Sequence, residues 1–409
     1  MAGGDSMMKT IVIGGGPAGM IAAGMAADGD HEVLLLEKNE KLGKKLYITG
    51  KGRCNITNHK EIEEFISETV RNGRFLYSAY YGFTNRDLME FLESLGLELK
   101  VEQGGRIFPK SDKASDVTRA LSRWLQKKGV RVELHSEVIG IIRDESGFVV
   151  QTENQRFFAD AVIIATGGRS YPSTGSTGAG YRFANDFGIA TTKTRPSLCP
   201  MDLVDPFPDL SGLTLKNVRL TLTRGKHQIS EFGDLLFTHR GISGPIVLTL
   251  SAEDFSFSNA NAILDLKPAI SEETLDMRIV REIQKDSRKQ LKNLVRVLLP
   301  QAMVIYVLER AKLDPEKISG ELKREERKRL VESIKGFSFQ IKGLGRFEEA
   351  VITRGGIDIK EINPSTMESK KIPGLYFVGE VLDVDAHTGG YNLQIAFSTG
   401  VCAGRSAAK

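Results

Sequence analysis

Three glycines near the start of the chain constrain its fold more than any other feature. Gly14, Gly16 and Gly19 form the pattern G-x-G-x-x-G. A short apolar segment, 11–13, precedes them, an alanine- and methionine-rich stretch follows, and a second apolar segment, 33–36, comes next. This order predicts strand, glycine turn, helix and strand. The chain is therefore expected to begin with a βαβ unit whose parallel strands are covered on both faces.

Each of these glycines has a separate geometric task in such a unit. Gly14 permits the tight turn, Gly16 lets the backbone approach a pyrophosphate, and Gly19 allows the helix to pack closely on the strand. Pro17 and Ala18 lie between them, at a helix N-terminus where free N–H groups and the helix dipole favour phosphate. We therefore assign all five residues to a phosphate-binding site.

Glu37 ends the second predicted strand, 18 residues after Gly19. A carboxylate at this position can accept hydrogen bonds from the ribose of an adenosine. The fingerprint alone is compatible with a tight turn that binds nothing, and Glu37 alone with a surface acid. Together they predict a dinucleotide, and later segments must decide which one.

Two further glycine-terminated apolar segments, VIIATGG and LYFVGEVLD, favour FAD. Both are typical of FAD enzymes that carry the same fingerprint. A helix that starts near 389–394 would direct its N-terminus at the flavin pyrimidine and favour negative charge there by ~0.3–2 kcal/mol. Either segment alone could be a buried strand of any α/β protein, but the three features together predict FAD. The residues assigned from them are Ala165, Thr166, Gly167, Gly379, Glu380, Asp383, Asn392, Leu393 and Gln394.

The texture of the sequence predicts a discontinuous α/β domain with an insertion. Apolar strand-like segments that end in glycine, together with helical segments, occupy 1–193 and occur again in 345–409. The intervening residues, 194–344, combine short alternating segments separated by turn residues with a highly charged helical stretch. We divide this insertion into a β-module, 194–270 with 335–344, and a helical part, 271–334.

Charge and cysteine content exclude several classes of protein. The formal net charge of +4 on 409 residues is too weak by itself to argue for nucleic acid, although it suits an anionic cofactor. Cys54, Cys199 and Cys402 are far apart and form no C-x-x-C pair. This spacing argues against a disulfide framework, a structural zinc site and a dithiol redox pair, so no metal is predicted.

The sequence also gives an expectation about location. The first ten residues lack the apolar stretch of a signal peptide, and no apolar run approaches the 18 residues of a spanning helix. We therefore expect no membrane association and a cytoplasmic location. The oligomeric state is left open.

Longer motifs resemble a family of bacterial FAD flavoproteins. They are IGGGPAG, EKNEKLGKKLYITGKGRCNITN, LLFTHRGISGP and GLYFVGEVLDVDAHTGGYNLQIAFSTG, and with the ATGG segment they extend over 11–400. The family is that of NAD(P)/FAD-dependent oxidoreductases of the aminoacetone-oxidase-like type, with a branch of bile-acid-pathway flavin reductases. The resemblance implies a Rossmann-like FAD domain of the glutathione- and fumarate-reductase type, split by a β-barrel-like and helical domain.

The resemblance also gives a function to the loop GKGRCNITN. In such a fold the loop after Glu37 runs beside the cofactor, where cations would meet the pyrophosphate or the flavin edge. The alternatives are a loop stabilised by its own side chains and a catalytic Cys54. The cations expected there are Lys44, Lys45, Lys51 and Arg53, and Asn55 and Asn58 would supply neutral hydrogen bonds. Lys38 and, outside this loop, Val138 are also assigned to the cofactor.

Four residues are candidates for catalysis. His239 and Arg240 lie in the loop FTHRGISGP, which would cap the flavin. His239 could donate a proton as a hydride leaves flavin N5, and Arg240 could bind a substrate carboxylate or carbonyl. His387 and Tyr391 flank the turn expected to face the flavin. The competing interpretation is a hydrogen bond that organises the loop for His239, and core or turn packing for His387 and Tyr391.

The predicted reaction is hydride transfer between flavin and a small organic substrate. A resemblance of the ATGG and GE segments to the fumarate-reductase group favours reduction or desaturation of a C=C bond next to a carbonyl. The sequence contains one G-x-G-x-x-G, so NAD(P)H would act only as a transient donor. The alternatives are amine oxidation with oxygen, modification of tRNA and a non-catalytic flavin sensor. RNA is disfavoured because no RNA-binding module is evident and basic residues alternate with acidic ones.

Overall fold

The fingerprint segment folds as strand, turn, helix and strand in the computed structural model, which describes residues 8–28 and 31–409. Strand Lys9–Ile13 leads through the glycine turn into helix Pro17–Ala26. The second strand, Glu32–Leu36, is parallel to the first, with Ile13 beside Leu36. Proline at the first helical position fixes the backbone angle that the helix needs, so the turn and the helix start are set locally.

This unit lies within a five-stranded parallel sheet. The strand Ala161–Ile164, from the VIIATGG segment, pairs with the fingerprint strand, and Leu375–Phe377 pairs with it in turn. Because the strands are parallel, the glycine-rich ends of all three segments lie at one edge of the sheet, where ligands of such folds bind. The strand order is Leu375–Phe377, Ala161–Ile164, Lys9–Ile13, Glu32–Leu36 and Arg131–Glu133.

The remaining helices and strands complete this part of the fold. The pair Leu99–Glu102 and Arg106–Pro109 was not predicted, because neither strand has a clear apolar alternation. Helix Tyr77–Gly82 was also missed. The other strands are Thr57–Asn58, Thr69–Arg71, Val138–Asp144, Gly147–Thr152, Arg156–Ala159, Arg195–Ser197, Ile352–Arg354 and Asp385–Ala386, and the other α-helices are Ile62–Glu68, Asn85–Ser94, Ala114–Lys127, Ala179–Asp186 and Tyr391–Ala407.

A closed antiparallel barrel of six strands forms the core of the inserted region. Two strands are eleven residues long, and their inward-facing leucines, such as Leu220 and Leu222, are fully buried. Helix Pro245–Ala252 was not predicted, because its apolar, β-branched composition also suits a strand. The barrel strands are Met201–Leu203, Thr214–Arg224, His227–Phe237, Gly241–Ser243, Ala260–Asp265 and Phe337–Leu344, and the other helices are Glu272–Lys285, Leu291–Val295, Gln301–Arg310 and Arg324–Lys335.

The described residues divide into two compact units. The first unit combines the residues up to Ser197 with Phe347–Lys409, and the second unit is Leu198–Arg346. Our sequence boundaries were 193/194 and 344/345. Residues 1–7, on which part of the signal-peptide expectation rests, lie outside the described residues. Within residues 8–28 and 31–409, no helix is long and apolar enough to cross a membrane.

The fingerprint helix and the C-terminal helix of the first unit are in very close contact. A Cβ atom at Gly400 would lie 2.6 Å from the Ala18 carbonyl oxygen, and one at Gly404 would lie 2.5 Å from that of Ala22. Both pairs are spaced by four residues, so they face each other over successive helical turns. The two ends of the first unit are joined by this glycine–alanine contact.

Asp385 is a fully buried acid of the first unit. Its Oδ2 accepts a hydrogen bond from Ser197 Oγ at 3.1 Å, while its Oδ1 has no hydrogen-bond partner among the described residues. Burial raises the pKa of Asp385 to about 6, although Arg354, Ser197 and Arg195 each act to lower it. The two arginines lie opposite each other on paired strands, so the carboxylate sits beside concentrated positive charge.

We expect Gly400→Ala to destabilise the protein by about 1–3 kcal/mol, because overpacking a tight helix contact forces the backbones apart. Gly82→Ala is the matched control, since a Cβ at Gly82 would meet no atom within 4 Å. It should leave the free energy of unfolding unchanged or raise it by up to ~1 kcal/mol. Equal unfolding midpoints for the two variants in urea would contradict this account of the helix contact.

The acid Asp385 predicts a specific pH dependence of stability. Its pKa in the folded state lies above the ordinary 3.8, so the folded state holds a proton that the unfolded state has released. The stability of the wild type relative to Asp385→Asn should therefore fall by roughly 2–3 kcal/mol as the pH rises from about 4 to about 7. Parallel pH profiles of the unfolding free energy for the two proteins would show that the acid is not perturbed.

Candidate cofactor and active site

The three fingerprint glycines meet three different surroundings. A Cβ at Gly14 would lie 2.5 Å from the Ala165 carbonyl oxygen, and one at Gly19 only 1.8 Å from that of Gly14. At Gly16, by contrast, a Cβ would meet no atom within 4 Å. Gly16 is also the N-cap of the fingerprint helix, whose first N–H groups have no intrahelical partner. An open space over a helix N-terminus is what a pyrophosphate requires, so these residues fit a dinucleotide.

Glu37 holds the glycine turn and the following loop together. Its Oε2 accepts a hydrogen bond from the Gly15 backbone N at 2.6 Å. Its Oε1 accepts from both the backbone N and the side-chain Nδ2 of Asn39, at 2.8 and 2.6 Å. The carboxylate is almost completely buried yet retains acceptor lone pairs. It can therefore accept from a ribose hydroxyl while it keeps the turn in place.

A second carboxylate, Glu380, joins three separate segments. Its Oε2 accepts from Lys45 Nζ at 2.6 Å, and its Oε1 accepts from Ser170 Oγ at 2.5 Å and from the Thr353 backbone N at 2.9 Å. Lys45 also donates to Ser170 Oγ at 2.6 Å. The GE segment is thereby tied to the loop after Glu37, to the residues after the ATGG segment and to the strand Ile352–Arg354.

The loop GKGRCNITN packs against the turn before the C-terminal helix. Thr57 Oγ1 donates to Gln394 Oε1 at 2.7 Å, and Asn58 Nδ2 donates to the Gly389 carbonyl at 3.1 Å. With its amide oriented to satisfy both ends, Asn55 accepts from the Gly390 backbone N at 3.0 Å. Gly390 has a φ of +102° and would bring a Cβ within 2.4 Å of the Thr57 carbonyl. These amides therefore shape the turn that leads into the helix.

The cationic residues of the region already have partners in the first unit. Arg53 forms a bidentate ion pair with Glu102 at 2.8 and 3.1 Å and contacts Asp112 at 3.2 Å. Arg53 has these carboxylates as partners, and its predicted contact with the cofactor stays a prediction. Lys44 bonds Glu40 at 3.1 Å. Lys38 Nζ donates to Thr177 Oγ1 at 3.0 Å.

Cys54, the cysteine of the same loop, is fully buried. Burial raises the pKa of its thiol to about 12, which argues against a reactive thiolate.

The remaining predicted cofactor residues occupy the same unit. Asn392 forms two hydrogen bonds with the backbone of Ala386. Its Oδ1 accepts from the Ala386 N at 2.9 Å, and its Nδ2 donates to the Ala386 carbonyl at 2.7 Å. Asp383 is buried and accepts from Arg71 Nε at 2.7 Å. The strand Ala161–Ile164 is followed by Ala165, Thr166 and Gly167. Gly379 precedes Glu380, and Val138 is the first residue of the strand Val138–Asp144. Leu393 lies in the first turn of the C-terminal helix.

A histidine–carboxylate pair lies beside this helix start. His387 Nδ1 is 3.2 Å from Glu68 Oε2, and the His387 backbone N donates to the Glu68 carbonyl at 2.9 Å. Lys60 Nζ donates to Glu68 Oε1 at 2.7 Å and lies 5.9 Å from the centre of the Tyr391 ring. The structure thus brings together two predicted catalytic residues, His387 and Tyr391, with two that were not predicted.

The other two predicted catalytic residues belong to the second unit. His239 and Arg240 follow the barrel strand His227–Phe237, and Arg240 lies 3.4 Å from Asp202. The proposed role of this loop as a cap stays a prediction. Among residues 8–28 and 31–409, no group of three or more His, Cys, Asp or Glu side chains is arranged to hold a metal ion.

Several residues of the site were missed because their signals are weak in sequence. Asn39 lies in a run of consecutive charged and polar residues, where nothing in the sequence distinguishes it from its neighbours. Glu68 and Lys60 flank an acidic helix that resembles a solvated surface element. A carboxylate that ends a helix directly before a strand would have been the one local clue to Glu68.

Comparisons with known proteins agree over nearly the whole chain. A family model described as the HI0933-like protein Rossmann domain matches residues 8–406. The chain is 32% identical to a ribosomal RNA dihydrouridine synthase of Escherichia coli, over 95% of each chain. It is 31% identical to a 3-dehydro-bile acid delta(4,6)-reductase of Clostridium scindens, over 98% of this chain and 100% of that protein.

Solved structures share the fold at low sequence identity. A 3-ketosteroid-delta4-(5alpha)-dehydrogenase from Rhodococcus jostii superposes with a TM-score of 0.53 at 16% identity, over 99% of this chain and 98% of that one. A flavocytochrome c3 fumarate reductase gives a TM-score of 0.50 at 17% identity, over 99% and 79%. These likenesses concern the fold alone.

The matches confirm the predicted fold class, a Rossmann-type FAD domain with an antiparallel barrel, and the predicted enzyme class, an FAD-dependent oxidoreductase. The resemblance found in the motifs is confirmed as well, because the family model and the curated relatives extend over the same residues. The matched range includes Glu37, Glu380 and the open space over the helix N-terminus at Gly16, which we call the Gly16 cradle. The chain therefore belongs to the HI0933-like family.

Proposed function

We propose that this protein is an FAD-dependent reductase of a C=C bond conjugated to a carbonyl group. The observation that carries the proposal is the bond shared by two differently named relatives. A dihydrouridine synthase saturates the C5=C6 bond of uracil, which is conjugated to the C4 carbonyl. A delta(4,6)-reductase of 3-dehydro-bile acids acts on double bonds conjugated to a ketone. Their similar identity to this chain supports the bond type more than either substrate.

The residues of the first unit suit this chemistry. The Gly16 cradle would hold the pyrophosphate of FAD, Glu37 its adenosine ribose, and the region of Glu380 its ribityl–phosphate part. When bound, FAD supplies the hydride that the reaction needs. The start of helix Tyr391–Ala407 offers a positive dipole end to negative charge.

Reduction of such a bond also needs a proton. Hydride adds to the carbon β to the carbonyl, and the α-carbon must then be protonated. His387 is our candidate donor, because it lies next to the helix start and its imidazole contacts a carboxylate at 3.2 Å. NAD(P)H is the electron donor we propose, and it would bind transiently because the sequence has a single G-x-G-x-x-G.

Two kinds of substrate contain a C=C bond of the proposed type. A small enone such as an oxo-steroid acid is one candidate. Uridine in ribosomal RNA is the other, and it is favoured by a second dihydrouridine synthase, of Haemophilus influenzae, at 33% identity over 96% of each chain. This second candidate replaces the tRNA of our sequence-based alternative with ribosomal RNA.

An anaerobic two-step assay distinguishes these possibilities. The purified protein is mixed with NADH, NADPH or a panel of amines, and bleaching of the flavin band is followed. The reduced protein is then mixed with a 3-oxo-Δ4 bile acid or with undermodified ribosomal RNA. We expect a nicotinamide to bleach the flavin and one of these conjugated acceptors to restore it. Bleaching by an amine, followed by reoxidation with oxygen alone, would instead support the amine-oxidase alternative.

The cofactor site has its own test. Gly16→Val should fold normally, because its Cβ meets no atom and its φ of −76° suits any residue, but it should fill the phosphate cradle. We expect FAD binding to weaken roughly ten- to hundredfold, as for a steric cost of 1–3 kcal/mol. Gly343→Val, at another glycine with free space around its Cβ, is the control. Full FAD content in Gly16→Val at unchanged melting temperature would refute the assigned cradle.

A further inference from the structure

We propose that Glu68 is a positioning residue that sets the tautomer and the charge of His387, and that Lys60 holds Glu68 in the required orientation. The catalytic use of this pair rests on the function proposed above, but the pair itself can be tested without any substrate. None of the sequence motifs points to Glu68 or Lys60.

The backbone fixes the pair before the side chains interact. Glu68 ends helix Ile62–Glu68 and leads directly into strand Thr69–Arg71. That strand pairs antiparallel with Asp385–Ala386, with Ala386 beside Thr69. The His387 backbone N donates to the Glu68 carbonyl at 2.9 Å. The two residues therefore continue a strand pairing, and their side chains meet in a set register.

The two carboxylate oxygens of Glu68 have different partners. Oε2 lies 3.2 Å from His387 Nδ1, and Oε1 accepts from Lys60 Nζ at 2.7 Å. Lys60 also lies 3.6 Å from Glu64 and beneath the ring of Tyr391. Lys60, Glu64 and Tyr391 are titratable groups that face the pair. Lys60 prevents rotation of the carboxylate away from the imidazole.

Glu68 stays ionised in this arrangement. Burial raises the pKa of Glu68, but hydrogen bonds and charge from Lys60 and His387 outweigh burial and lower it below the ordinary value. An ionised carboxylate has no proton to donate, so the hydrogen bond requires a proton on His387 Nδ1. Proton exchange with a substrate then takes place at Nε2, and the negative charge favours the imidazolium.

This assignment gives a balanced proton path for the proposed reduction. With FAD bound, the reduced flavin would supply a hydride to the β-carbon of the C=C bond, and His387 Nε2 would supply the proton to the α-carbon. The substrate is reduced, the cofactor is oxidised, and the neutral imidazole regains its proton from water. His387 and Glu68 are each about a quarter exposed, at 23% and 26%, so water can reach the pair.

The test is an NMR titration of the histidine ring nitrogens in the FAD-loaded wild type and in charge variants. In Glu68→Gln we expect His387 to titrate at a pH lower by about one unit or more, and to lose its preference for the Nδ1-protonated tautomer. In Lys60→Gln we expect the preference for the Nδ1-protonated tautomer to weaken, because the carboxylate of Glu68 is no longer held against the imidazole. The control is Glu64→Gln, one turn earlier in the same helix, which should leave the tautomer unchanged.

An unchanged titration and tautomer in Glu68→Gln, or equal changes in Glu68→Gln and Glu64→Gln, would overturn the proposal. If Glu68→Gln fails to fold, the tautomer of His387 in Lys60→Gln decides, and an unchanged preference for the Nδ1-protonated form there refutes the proposal. The kinetic test is separate. With an active substrate, the loss of kcat at high pH should move to lower pH in Glu68→Gln with little change in KM. A shifted titration together with an unshifted kcat profile would leave the pair intact and reject His387 as the proton donor.

Discussion

The close contact between the fingerprint helix and the C-terminal helix is the constraint on which the first unit depends. Side chains at Gly400 or Gly404 would collide with backbone oxygens of the facing helix, so only glycine lets the two axes approach this closely. The helix that begins at Tyr391 is thereby fixed beside the fingerprint turn. Residues from the two ends of the chain can then form one site.

Around this contact, polar side chains connect segments that are distant in sequence. Glu37 fixes the glycine turn, Glu380 binds two loops and one strand, and Asn58 and Gln394 hold the residues that precede and begin the C-terminal helix. Side chains that are held by partners within the protein reduce the ordering cost of binding a ligand. The amides and the hydroxyl of GKGRCNITN help to shape the turn before the C-terminal helix, and the contact of this loop with the cofactor stays a prediction.

The proposed reaction is consistent with a scaffold that constrains the bond more than the substrate. Hydride placement and protonation need a fixed helix start and a positioned imidazole, and both lie in the first unit. Relatives named for ribosomal RNA and for bile acids match this chain over the same range. We therefore expect the choice of substrate among these relatives to depend on side chains that differ between them on a shared fold.

The sequence by itself determined the elements whose signals are local. The fingerprint βαβ unit, the buried strands that end in glycine, and the insertion of a β-rich region follow from glycine spacing and apolar runs, which act within a few residues. Only the tertiary structure decided that Arg53 pairs with Glu102, that LKVE and RIFP form a strand pair, and that Glu68 meets His387 across 319 positions. Contacts between distant polar side chains leave no periodic trace, because their geometry exists only after the strands and helices have packed.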